Sequence, residues 1–293
     1  MSCTEVIVIL FEFSIEFMIH HYTSINTLAL ILETKKIRFT RLDCFDDMLE
    51  AKNIQDINFG NQLFASCWTK AEESIPQWYM YGVQLSGVRL SFFSDDLFTW
   101  HQLQGGRKVE RNGKSAGMNI SLPLDAPYSL DDIYGHGYSL VPEVNMKQRF
   151  FRTIEYVNNL DGILEEFEKR ITIENGVTTI TGMSSDFGFH KSSAWSFQEE
   201  CRFILTARNF LKNDATDDHF FDFYMQGDHL KPVEIRNIDL PYNPNALDNL
   251  LVTLGPSTTK ADEIIVRLLL EKYAPKAQLK TSNLSGKIRN VLR

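Results

Sequence analysis

The chain is poor in cysteine, with Cys3, Cys44, Cys67 and Cys201 as the four among 293 residues. No two stand at C-x-x-C spacing and no histidine joins them at zinc-finger spacing, which speaks against a zinc ribbon. They read as reduced thiols, the state expected in a cytoplasmic protein. The seven histidines include no i, i+4 pair, and no metal is expected. A dinucleotide-binding G-x-G-x-x-G turn and a G-x-x-x-x-G-K-[ST] phosphate loop are missing as well. Positive charge is short: Lys and Arg number 30 against 38 Asp and Glu, for a net charge of -8. A broad nucleic-acid surface is therefore not the default, although Arg107, Lys108 and Arg111 form a local basic cluster. Long apolar runs are lacking too. The stretch Val6 to Phe17 has no basic leader and is interrupted by Glu12 and Glu16, which fits neither a membrane span nor a signal peptide. Its alternation over Phe11, Phe13, Ile15 and Phe17 reads as a strand. Met18 is an alternative start, which leaves the first 17 residues as an upstream extension; in the domain organisation residues 1–18 are set apart as an N-terminal extension.

Apolar residues make up 43% of the chain and phenylalanine alone supplies 21, enough for large buried faces. Ile19 to Tyr22 reads as a short strand carrying His20 and His21, and Thr23-Ser24 caps a helix from about Ile25 to Glu33. A basic strand at Lys35 to Phe39 and an acid-rich turn over Asp43, Asp46, Asp47 and Glu50 follow; that turn reads as solvated rather than cation-binding. Leu63 to Trp68 is a buried strand, Pro76 suits the first turn of a helix reaching Tyr81, and Gly87 to Phe92 is a strand. The spacing of Met146, Phe150, Ile154, Val157, Leu160, Ile163, Leu164 and Phe167 predicts a long helix broken near Gly162. Leu250 to Leu254 is a strand ended by Gly255-Pro256, and Thr259 with Asp262 caps a helix through Tyr273. The expected architecture is one α+β domain over residues 19–293, with an irregular, mainly helical insertion near 100–190.

The stretch Ala194 to Leu205 organises this reading. With a period of two, Trp195, Phe197, Cys201, Phe203 and Leu205 fall on one face and Glu199 is out of phase. The other face aligns Gln198, Glu200 and Arg202, an amide, a carboxylate and a guanidinium. Those types together suit a site that steadies a developing cation and orients a nucleophile. The same row also fits a solvated strand face with a weak Glu–Arg pair.

Six short motifs in order resemble an uncharacterised bacterial domain family of unknown function, found among other places near defence genes. They are His21-Tyr22-Thr23, Ala65-Ser66-Cys67-Trp68, Trp78 to Tyr81, Gly87-Val88, Lys191 with Trp195 to Arg202, and Leu254-Gly255-Pro256. Phe45 to Glu50 departs from the family's Asn-Asp-Pro-x-x-Glu turn, and Gln198 replaces its first Glu. The layout in turn is similar to ADP-ribosyltransferases, which implies a split mixed or antiparallel sheet and NAD as the donor, with no metal. Position by position, that resemblance puts Glu200 and Gln198 in the catalytic roles. It puts His21, Tyr22, Thr23, Ser66, Tyr81 and Arg202 around the cofactor: His21 on the adenosine ribose, Tyr81 stacked on nicotinamide, Arg202 on Glu200 or a phosphate. The implied partner is a macromolecular acceptor, protein or nucleic acid, in phage defence or as a toxin. An NAD glycohydrolase without such an acceptor and a non-catalytic binding module stay open beside it.

Overall fold

The computed structural model describes residues 17–50, 58–174, 177–182, 184–212 and 216–289. The strand expected over Phe11 to Phe17 and the N-terminal extension fall almost wholly outside them. The architecture is mixed α and β around one large, mostly antiparallel sheet. Its strands are β1 (Met18–Thr23), β2 (Lys36–Arg41), β3 (Leu63–Thr69), β4 (Val88–Phe93), β5 (Tyr134–Gly135), β6 (Tyr138–Leu140), β7 (Phe151–Thr153), β8 (Glu200–Asn209), β9 (Asn237–Pro241), β10 (Leu251–Leu254) and β11 (Gln278–Thr281). The helices are α1 (Ile25–Thr34), α2 (Ile75–Met80), α3 (Met146–Arg149), α4 (Leu160–Glu168), α5 (Asp217–Met225) and α6 (Lys260–Tyr273). Spatial order across the sheet is β11-β10-β4-β1-β3-β8-β6-β5, with β7 also on β8 and the β9–β2 pair joined to β3. No helix among the described residues is long and apolar enough to cross a membrane.

One weak seam runs through this sheet. β1 pairs β4 along its whole length, from Met18↔Phe93 to Thr23↔Val88. β3 pairs β8 from Glu200↔Thr69 to Thr206↔Leu63. Between β1 and β3 the register holds at a single position, His20↔Thr69. The two halves of the sheet meet there and part beyond it.

The main core lies on the face carrying Ile19, Phe64, Trp68, Leu90, Phe92, Cys201, Phe203 and Leu205. The helix α1 covers it with Leu28, Ile31 and Leu32, spaced as a helix that buries one stripe must space them. Ser24 caps that helix by accepting from the Thr27 amide. The expected Thr259–Asp262 capping box is present in full on α6.

Three expectations are overturned. The long helix over 145–171 does not form: α3 stops at Arg149 and the chain becomes strand at Phe151–Thr153 and again at Glu155–Val157. β7 is held by the edge it finds on β8, so sheet pairing overrides the local helical spacing. The insertion near 100–190 is correspondingly rich in small two-stranded sheets, including His101–Gly105 with Ile120–Ala126 and Lys108–Arg111 with Lys114–Gly117, rather than mainly helical. The basic cluster on it is neutralised, Arg107 by Asp217 and Arg111 by Asp218.

The segment 194–205 is also not one strand. Ser193–Gln198 is a 3-10 helix, Glu199 turns with φ 44, and β8 begins at Glu200. Cys201, Phe203 and Leu205 do face the core, but Trp195 and Phe197 leave it, and Phe197 is 41% exposed. The residue out of phase with the alternation marks the switch.

Candidate functional site

A cavity of about 530 Å³ sits at the seam between β1 and β3. His21, Tyr22, Ser66 and Cys67 from the two strands line it together with Tyr81, Trp195, Gln198 and Glu200. Its wall continues along α1 and β2 through Thr27, Ile31, Lys36 and Arg38. The histidine, the tyrosine and the glutamate therefore share one space, although 179 positions separate His21 from Glu200.

Behind the glutamate lies a closed ring of four buried charges. Arg202 donates from Nε to Glu200 Oε1. Lys191 Nζ lies 2.9 Å from Glu200 Oε2 and 3.0 Å from Glu50 Oε1. Arg202 Nη1 closes the ring against Glu50 Oε2 and donates to the Gly188 carbonyl at 3.1 Å. Two cations and two anions sum to zero, which is how such groups tolerate burial at side-chain exposures of 7% or less. Burial by itself opposes ionisation of Glu200. The charges of Arg202 and Lys191, with the Arg202 hydrogen bond, outweigh it and bring the carboxyl down to about 2. Glu200 is thus a fixed anion at the cavity wall, and a carboxylate so held keeps lone pairs for a further donor.

Gln198 links this ring to the tyrosine. Its Oε1 accepts from Lys191 Nζ at 2.8 Å and its Nε2 donates to the Tyr81 hydroxyl at 3.0 Å. Its carbonyl accepts from Thr69 Oγ1 at 2.6 Å and from Gln77 Nε2 at 3.2 Å. The side chain acts as a clamp between elements. Burial, with Asp46 and Glu200 nearby, pushes the Tyr81 phenol up to about 12, so it stays neutral.

His21 Nδ1 lies 3.0 Å from the Cys67 carbonyl oxygen. A carbonyl only accepts, so Nδ1 carries the proton and Nε2 is left as an acceptor. Burial pulls the imidazole below its ordinary value against that hydrogen bond, and it is neutral at physiological pH. Its ring stands 5.1 Å from the Trp68 ring, tilted by 43°. His20 behaves differently: its Nδ1 meets Ser91 Oγ at 2.8 Å, and burial beside Arg89 and Lys280 lowers it to about 3.

The remaining expected site residues divide. Tyr22 lines the cavity, accepts from the Ser74 amide at 3.0 Å, and packs edge-on to Trp78. Ser66 lines it and accepts from Trp68 Nε1 at 3.1 Å. Thr23 and Arg202 do not line it. Thr23 is buried at the end of β1, and Arg202 is fully buried behind Glu200, where it steadies the carboxylate from outside the cavity. The Trp-x-x-Tyr pair also splits, Trp78 fully into the core and Tyr81 into the site.

Three features escape the sequence reading. Glu50 belongs to a turn read as solvated, yet it is buried and paired to both cations. Lys191 stands out in sequence as a motif residue only, with no role attached. The Tyr156 hydroxyl accepts from the Glu200 amide at 2.8 Å and so fixes the start of β8. Gly113 to Gly117 has G-x-S-x-G spacing, but it forms an exposed two-stranded hairpin rather than a strand–turn–helix elbow. Among the described residues no group of three or more His, Cys, Asp or Glu is placed to hold a metal ion.

The motif glycines are structural. A Cβ at Gly255 would lie 2.3 Å from the Leu85 carbonyl oxygen, and one at Gly87 would lie 2.2 Å from that of Thr23. Both admit close backbone contact beside Val83, Gln84 and Leu85, three successive left-handed residues with φ 50, 49 and 77. That turn is joined to Tyr81 through Gly82.

Comparison with protein-family models, with curated proteins and with solved structures finds no match.

Proposed function

We propose that this chain binds NAD in the seam cavity and cleaves its nicotinamide–ribose bond, handing ADP-ribose to an acceptor. The observation that carries the reading is the convergence of His21, Tyr81 and Glu200 on one cavity. The Tyr81 ring is partly exposed at the wall, where it offers a flat apolar face to nicotinamide, worth on the order of 1 kcal/mol. His21 Nε2 accepts a hydroxyl of the adenosine ribose. Glu200 accepts the 2′-hydroxyl of the nicotinamide ribose.

In the reaction the bond from ribose C1′ to the pyridinium nitrogen breaks, and its electron pair leaves with neutral nicotinamide. Positive charge gathers on C1′ and the ring oxygen. A carboxylate held ionised nearby favours that state over the ground state, where the charge sits on the nicotinamide. The acceptor's nucleophile then bonds to C1′ and releases its proton to solvent. With water as the acceptor the outcome is NAD hydrolysis.

The closed ring around Glu200 favours a second reading, in which the carboxylate is structural and the cavity binds a nucleotide without turnover. Nicotinamide release from NAD separates the two. The enzyme reading expects measurable release and a loss of about 10²-fold or more in Glu200→Gln, as for other groups aimed at developing charge. Equal rates, or equal silence from two folded proteins that both bind NAD, would sink it in favour of the binding module.

A further inference from the structure

Three arginines outside the cavity converge on a single carboxylate. Arg149 Nη1 reaches Asp186 Oδ1 at 2.7 Å, Arg152 Nη1 reaches the same oxygen at 3.3 Å, and Arg170 Nη2 reaches Oδ2 at 3.1 Å. They come from separate places: the last turn of α3, β7, and the residues after α4. Aromatic rings brace two of them. The Arg152 guanidinium lies 4.3 Å from the Phe189 ring centre, and that of Arg170 lies 5.2 Å from Phe167 and 5.6 Å from Phe187. The side chains are neither buried nor free, with 30%, 31% and 26% exposure around an Asp186 at 21%.

The charge there does not balance. Three guanidinium groups face the Asp186 carboxylate, with Glu155 4.0 Å from Arg152, a local surplus of one positive charge on a chain whose net charge is -8. Glu155 approaches Arg152 only to 4.0 Å, is 63% exposed, and is shared with His190 at 3.4 Å. This contrasts with the neutral ring at Glu200, where each cation has both anions. Each guanidinium carries five donors in a planar fork; Arg170 also donates from Nε to the Thr181 carbonyl at 2.7 Å, and most of the other donors meet no acceptor among the described residues. Forks of this kind match the oxygens of a phosphate, and a phosphate monoester carries about −1.5 to −2 charges at neutral pH. Its charge and its acceptors answer both the surplus and the spare donors.

We propose that Arg149, Arg152 and Arg170 form a phosphate-binding site, for inorganic phosphate or a phosphate monoester. The site rests on its own geometry and not on the NAD reading. Arg152 stands directly opposite Arg202 in the β7–β8 register, one strand out from the side chain that holds Glu200.

Calorimetric titration of the full chain with inorganic phosphate, at constant ionic strength in chloride, tests the proposal. Saturable binding is expected, with the half-saturating concentration at least 10-fold higher in Arg152→Gln and in Arg149→Gln, and intermediate in Arg152→Lys. Circular dichroism verifies that each variant is folded; should Arg152→Gln fail, Arg149→Gln at the end of α3 decides. A nucleoside 5′-monophosphate that binds at least as tightly as inorganic phosphate, while the bare nucleoside does not, marks a phosphate carried on a larger molecule; tighter binding of inorganic phosphate marks a free ion. Saturating NAD is expected to leave the titration unchanged. Absence of binding by wild type, wild-type affinity in folded variants, or competition by NAD would each overturn the assignment, and none of these depends on nicotinamide release.

Discussion

The Tyr81 hydroxyl accepts a hydrogen bond from the Gln198 amide at 3.0 Å, tying the end of α2 to the 3-10 turn that precedes Glu200. Through Lys191 the same amide is joined to the carboxylate itself. The position of the ring and the position of the anion are therefore set by one side chain.

That linkage separates contact from positioning. Tyr81→Phe keeps the ring and loses one hydrogen bond, so it is expected to cost about 1 kcal/mol of stability and leave nucleotide affinity within twofold. Tyr81→Ala removes the stacking face, and NAD affinity is expected to fall roughly fivefold or more, on the order of 1 kcal/mol. Equilibrium binding of NAD to the three proteins checks the order. A loss in Tyr81→Phe equal to that in Tyr81→Ala would mean that the hydroxyl, not the ring, meets the ligand.

Glu50 supplies half of the negative charge in the ring. Removing it leaves two buried cations with one anion between them. Glu50→Gln is expected to destabilise the fold by about 3 kcal/mol, the scale for breaking one partner out of a buried pair. Urea unfolding at neutral pH measures this. Because Lys191 and Arg202 then both lean on Glu200, the Glu200 carboxylate becomes a poorer acceptor for a ribose hydroxyl. A slower nicotinamide release is expected from Glu50→Gln at saturating NAD, although Glu50 itself does not line the cavity.

How much of this is legible in sequence depends on how far each feature reaches. The strands Met18–Thr23 and Leu63–Thr69, α1 and the capped α6 are set by local patterning and fall where it places them. The misreadings arise where a distant partner decides. Phe150 and Ile154 have helical spacing with their neighbours, but a free edge of β8 draws the intervening Phe151–Thr153 into the sheet. Trp195 and Phe197 alternate as a strand would, and only the left-handed Glu199 separates them from the real one. Glu50 carries no local sign of burial, because its partners stand at 191 and 202. Acid-rich turns are ordinarily solvated, and tertiary pairing makes this one an exception. By contrast, Glu200 and Arg202 are readable as neighbours because a period of two puts them on one face at once.

Two buried imidazoles and Glu200 make stability fall in acid, in an order that follows from their values. His20, lowered to about 3, and His21, lowered as well, are neutral in the fold and protonate in the unfolded chain near 6.5. The unfolded state thus binds more protons below that pH, and stability declines as pH falls from about 6.5. Glu200, ordinarily near 4.5 and held at about 2, adds a second decline below about 4.5. Unfolding free energy measured from pH 8 to 4 should show the first loss, and His20→Gln should flatten it. A profile level down to pH 5 would contradict buried neutral histidines.

The backbone contact behind Tyr81 makes the last prediction. Gly255 lies against the carbonyls of Leu85 and Gly87, with room for no Cβ: one placed there would stand 2.3 Å from the Leu85 oxygen, far inside contact distance. Leu85 is itself fully buried and in the left-handed region, so the turn has little freedom to retreat. Gly255→Ala must move either the β10 end or the 83–85 turn, and a cost of about 2 kcal/mol is expected, within the usual range for overpacking. If the turn moves, Tyr81 moves with it, and NAD affinity falls in Gly255→Ala although no atom of that residue lines the cavity. Thermal unfolding and NAD titration of the same variant read the two effects separately. Loss of stability with unchanged affinity would show that β10 yields and that the tyrosine is anchored by Gln198 alone.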